Sequence, residues 1–159
     1  MPGVGVPIGS VYRFFPTRTA LIARLFAEEM VEIDNRLADA LAETERLETV
    51  GASITALLND ALALVLDRPW LKSVLNAPAI DEPIALADRE NTKTNADRLA
   101  RALVLLKPDA HLDEISATAL LVCHLWAPTV QLCLAEPEKA DQIAASYGAM
   151  ITAHLRALG

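Results

Sequence analysis

The charged residues of the first 27 positions are Arg13, Arg18 and Arg24, with no Asp or Glu among them. That end carries +3 while the rest of the chain carries -10, within a formal net charge of -7. Neutralising a phosphate backbone needs clustered Lys and Arg, so the basic end is the candidate nucleic-acid face and the acidic body is not. Thr17 can cap a helix. Arg18 then falls in its first turn, where free amide groups already favour an anion, and a phosphate there gains both contacts. Just upstream, Gly9 and Ser10 are small enough to let a short helix approach a major groove closely.

Elsewhere the chemistry is sparser. His111, His124 and His154 show no metal-ligand spacing, and Cys123 and His124 point about 100° apart on a helix, so one ion would not see both. Cys123 and Cys133 are ten residues apart, roughly 15 Å along one straight helix, too far for a disulfide. Asp81-Glu82 and Glu28-Glu29 read as helix-start and solvent-face charges. No Gly-rich phosphate loop follows a strand and no nucleophile elbow occurs, so neither an enzyme nor a cofactor is indicated. Each of the two tryptophans brings an N–H that needs a partner when buried. A ligand pocket is expected around Trp70, Leu71, Val74, Leu75, His124, Trp126 and Thr129, the alternative for each being ordinary core.

The run Gly5-Val6-Pro7-Ile8-Gly9-Ser10-Val11-Tyr12-Arg13-Phe14-Phe15-Pro16-Thr17-Arg18-Thr19-Ala20-Leu21 closely resembles the recognition-helix signature of the tetracycline-repressor (TetR) family. There a Gly-Val turn precedes a short helix of the type Gly-Ser/Thr-Leu-Tyr-x-His/Tyr-Phe, then Pro-Ser-Lys and a Leu-rich helix. The resemblance places Pro7, Ile8, Gly9 and Arg13 near base edges, and Ser10, Tyr12, Phe14 and Arg18 where the family meets the phosphodiester backbone. Val6, Val11 and Phe15 would pack the small head. Two positions depart from the pattern: Pro7 stands where a capping Ser or Thr is usual, and Phe14 lacks the polar tip of His or Tyr. The family builds its head from three helices, and here almost nothing precedes the Gly-Val turn, so only the last part of that head is expected.

The elements that must position these residues read as helices throughout. Aromatic residues make up only 4% of the chain, β-branched alternation is rare, and apolar residues recur three and four apart. A short element over Ile8 to Phe14 is closed by Pro16. A second helix carries Ile22, Phe26, Met30, Ile33, Leu37 and Leu41 as one apolar stripe and fades near Glu45. A third, Leu47 to Leu66, is apolar on most sides and therefore central. Pro69 to Asn76 forms a short helix. Asp81-Glu82-Pro83 starts another that runs to Leu106 and stops at Lys107-Pro108, its polar middle, Asp88 to Asn95, either fraying or facing solvent. The last two run from Asp113 to about Ala135, kinked at Pro128, and from Glu136-Pro137 to Leu158.

The final helix sets Ala144, Ala145, Gly148, Ala149 and Thr152 on adjoining turns. A helical Gly costs on the order of 1 kcal/mol relative to Ala, which close approach of another helix would offset. A two-fold dimer through the last two helices is expected, the alternative being that this face packs inside its own chain.

At 159 residues and 53% hydrophobic content there is ample material for a core. The longest uninterrupted apolar stretches fall short of the roughly 18 residues that span a bilayer, and the N-terminus lacks the features of a secretory signal, so no membrane association and a cytoplasmic location are expected. The expected fold is all-α and TetR-like: a partial helix-turn-helix head over residues 1–27 and a helical ligand-binding and dimerisation domain over 28–159. The expected function is that of a ligand-responsive repressor, a homodimer reading palindromic operator DNA and released by a small apolar effector. The alternative is a helical dimerisation or small-molecule-binding module that does not bind DNA.

Overall fold

The computed structural model describes residues 17–159. Among these, six α-helices occur in chain order: α1 (Arg18–Ala42), α2 (Leu47–Asp67), α3 (Leu71–Asn76), α4 (Glu82–Leu106), α5 (Leu112–Ala135) and α6 (Ala140–Ala157). Short 3₁₀ turns at Ala77–Ala79 and Pro137–Lys139 join α3 to α4 and α5 to α6. The all-α expectation is met.

Local chemistry accounts for the helix boundaries. Thr17, in extended backbone, caps α1: its side chain accepts from the Ala20 amide at 3.0 Å. Asp81 does the same for α4, accepting from Ile84 N at 3.0 Å, with Pro83 in the first turn. These are side-chain substitutes for missing intrahelical acceptors. Lys107 ends α4, and its ammonium then donates to the carbonyls of Leu155, Arg156 and Leu158, placing a positive charge on the electronegative end of α6. α5 runs through Pro128 without interruption.

The apolar residues divide into two cores. The larger one joins α2, α4, α5 and α6 around Ile54, Leu58, Leu99, Leu103, Ile115, Val130 and Leu155. The smaller one gathers Phe26, Val65, Leu71, Val74, Ala77 and Ile84, where the first half of α1 meets the end of α2, α3 and the start of α4. The stripe on α1 therefore serves both: Phe26 is buried in the smaller core and Leu37 in the larger. Ile22, Met30, Ile33 and Leu41 are half-buried beside them.

Two expectations need correction. The polar middle of α4 neither frays nor faces solvent throughout: Asn95 is only 6% exposed and donates to Asp34 Oδ1 of α1 at 2.9 Å. Its carbonyl oxygen accepts from Arg98 at 3.0 Å, so the residue is buried with its hydrogen bonds made.

The small-residue face of α6 packs inward. Ala144 and Gly148 are buried and Thr152 half-buried, against α2 at Gly51. A Cβ on Gly148 would stand 2.7 Å from the Gly51 carbonyl oxygen and collide with the Thr55 hydroxyl. The threonines seal the crossing, Thr55 donating to Gly51 O at 2.9 Å and Thr152 to Gly148 O at 3.1 Å. Close helix approach does offset the glycine, but the partner helix belongs to the same chain. Ala144, Gly148 and Thr152 are thus intrachain contacts, while Ala145 and Ala149 stay exposed.

By length and composition α2 and α5, with mean hydropathy 1.6 and 1.5, are apolar enough to cross a membrane. Scattered polar residues keep each uninterrupted apolar run short while the average stays high. In this fold both helices supply core side chains, Val50, Ile54 and Leu58 from α2 and Ile115, Val122 and Val130 from α5.

Candidate ligand-binding site

A cavity of about 290 Å³ lies where the two cores fail to merge. Its walls come from α1 (Phe26, Met30, Ile33, Leu37), α2 (Ile54, Leu57, Ala61, Leu64), α3 (Leu71, Val74, Leu75) and α5 (Val122, Trp126, Ala127). The volume is at the small end of ordinary ligand pockets, roughly 300–1,000 Å³, and the mostly apolar lining with a few polar groups fits that class.

The polar groups come chiefly from α4 and α5. Asp88, Asn91, Thr92 and Asn95 face the cavity from α4, and Cys123, His124 and Gln131 from α5. Asp88 is half-buried, and burial holds its carboxyl above the usual carboxylate range, with His124 and Arg89 partly opposing that shift. Cys123 is pushed up to about 12 by burial, so its thiol is protonated at neutral pH. Both cysteines are free. Tyr147 donates to the Val122 carbonyl behind this wall, and burial raises its phenol as well.

Asp34 of α1 organises the polar end. It receives Asn95 Nδ2 at 2.9 Å and Arg98 at 3.4 Å. The amide of Asn91, oriented to satisfy its neighbours, donates to both Asp34 oxygens at 3.1 and 3.2 Å. One carboxylate on α1 thus holds three side chains of α4.

Five of the seven residues expected at a pocket line this cavity: Leu71, Val74, Leu75, His124 and Trp126. Trp70 and Thr129 do not. Trp70 sits 44% exposed at the start of α3, ahead of the residues that turn inward. Thr129 satisfies its hydroxyl on the Leu125 carbonyl at 2.6 Å, within its own helix. The α1 wall was missed because its stripe reads as packing alone, and the α4 wall because polar residues in mid-helix read as solvent-facing.

Of the residues expected to meet DNA, Arg18 is described: it is exposed in the first turn of α1, one residue past the Thr17 cap. Pro7, Ile8, Gly9, Ser10, Tyr12, Arg13 and Phe14 lie outside the described residues. Arg24 pairs with Glu28 at 2.7 Å on the exposed face of α1, so part of the positive charge at this end is locally balanced. Among the histidines, His154 shares a hydrogen bond with Thr118 at 3.0 Å, and His111 precedes α5 as its N-cap residue.

No curated protein matches the chain. The family model described as the tetracyclin repressor-like C-terminal domain matches residues 48–158, from the start of α2 to the end of α6. That span holds α2 to α6, which supply every cavity wall except the one from α1, and it covers more than two-thirds of the sequence. The chain belongs to the tetracycline repressor family of regulators.

Proposed function

We propose that the protein is a ligand-responsive transcriptional repressor that acts as a homodimer on palindromic operator DNA. Residues 1–27 form the DNA-reading part and 28–159 the ligand-binding and dimerisation body. The observation that carries this reading is the position of the cavity: one wall is α1, the helix whose first turn presents Arg18. A small apolar effector between α1 and α5 presses on the helix that leads to the DNA-reading end. Such a ligand acts only if it binds one arrangement of α1 better than the other. The site is one for binding, not catalysis, and the protein works in the cytoplasm.

Dimerisation through α5 and α6 draws support from what remains uncovered. Leu121, Leu125 and Leu132 form one exposed stripe along α5, at 56%, 40% and 50% exposure. On α6, Ala145 and Ala149 are exposed one turn apart beside Met150. Apolar stripes on two neighbouring helices suit a self-complementary interface about a two-fold axis.

Selection of bound sequences from a random duplex pool tests the function. A dimer yields a two-fold symmetric consensus with half-sites about 10 base pairs apart, one helical turn. Failure to enrich any sequence contradicts the reading.

A further inference from the structure

Half of the polar side chains on the cavity wall are already committed to protein partners. Asn95 spends its amide nitrogen on Asp34 and its oxygen on Arg98, and Asn91 turns its nitrogen to Asp34. Gln131 donates to the Leu75 carbonyl and to Asn76, both at 3.1 Å. Glu32 and Arg36 pair with each other at 3.0 Å, both largely exposed. The groups left over are the carboxylates of Asp88 and Glu29, the Thr92 hydroxyl, the Cys123 thiol and the His124 ring, of which the two carboxylates are pure acceptors when ionised.

Asp88 faces the cavity from α4 and is half-buried, with no hydrogen bond or ion pair among the described residues. Glu29, also half-buried, lines the α1 side. On the α5 wall, Pro128 has no N–H, so the carbonyl of His124 four residues earlier lacks its helical donor, and both residues border the cavity. The basic groups near Asp88 are His124 and Arg89; His124 lines the cavity and Arg89 does not. A carboxylate held away from water beside an apolar space is stabilised most by a cation that brings its own N–H donors.

We propose that the cavity takes an apolar molecule bearing one protonated nitrogen, its ammonium on the Asp88 carboxylate and its hydrocarbon body against Leu71, Val74, Leu75 and Trp126. This rests on reading the cavity as the effector site and names the class of effector. A neutral alcohol would satisfy the same acceptors without the charge. An anion of the same shape would meet Asp88 and Glu29 as repulsion.

The test is a matched series on the intact 159-residue chain: 4-phenylbutylammonium, 4-phenylbutanol and 4-phenylbutyrate, titrated calorimetrically at pH 7.5. The ammonium is expected to bind about tenfold tighter than the alcohol, and the butyrate more weakly than either. Asp88→Asn brings the ammonium down to the affinity of the alcohol. Because the three probes are compared first on the unaltered chain, the outcome does not depend on how the variant folds. Equal binding of ammonium and alcohol, a preference for butyrate, or an ammonium preference that survives in Asp88→Asn overturns the assignment while leaving an effector cavity in place. Binding of none of the three overturns the assignment and the effector-site reading together.

Discussion

Asp34 on α1 and Asn95 on α4 meet at 2.9 Å, carboxylate oxygen to amide nitrogen, across 61 positions of sequence. The pair ties the helix that begins at Arg18 to the helix that lines the polar end of the cavity. Asn95→Ala leaves Asp34 short of a donor in a place that water reaches poorly. The expected loss is about 1–3 kcal/mol, read from urea denaturation with an unchanged slope.

The glycine crossing is less forgiving. In Gly148→Ala the added methyl meets the Thr55 hydroxyl, which can rotate aside, and the Gly51 backbone carbonyl, which cannot withdraw without separating α2 from α6. The expected destabilisation is about 2–4 kcal/mol or failure to fold. Ser146→Ala, two residues earlier and exposed, should stay within about 0.5 kcal/mol of the parent. Thermal midpoints of the two variants compare them directly.

Asp88 gives stability a pH signature. Its carboxyl is raised in the folded chain by burial, so folding favours the protonated form. The stabilisation is full below the ordinary value of 3.8 and is lost as pH rises through the folded value. Asp88→Asn should therefore melt higher than the parent at pH 7, with the difference closing toward pH 3.8. A variant that melts lower at pH 7 would contradict the assigned cause.

If α5 and α6 carry the dimer interface, a charge on their exposed stripe separates the subunits without unfolding them. Leu121→Glu is expected to shift the chain from dimer to monomer in sedimentation velocity while the helical circular dichroism signal stays the same. The mass-action stabilisation that a dimer receives should vanish too, removing the concentration dependence of the melting midpoint.

Helix ends were legible because their causes are local: Thr17, Asp81-Glu82-Pro83 and Lys107-Pro108 act within a few residues of where they stand. The direction a polar residue faces is not local. Asn91 and Asn95 turn inward because Asp34 awaits them on another helix. Likewise, the small face of α6 was recognisable as a close-packing surface, but that its partner is Gly51 of the same chain depends on the crossing of α2 and α6. Five of the residues expected around the two tryptophans line the cavity. The remainder follow from the gap between two cores, which no single helix encodes.

The most direct measurement is a fluorescence-anisotropy titration of the 159-residue chain on a duplex carrying the selected palindrome, repeated across a salt series. The account predicts saturation at two chains per duplex, with affinity falling linearly in log–log form as salt rises, and a smaller slope for Arg18→Ala. Absence of a complex at low salt, or saturation at one chain per duplex, would contradict it.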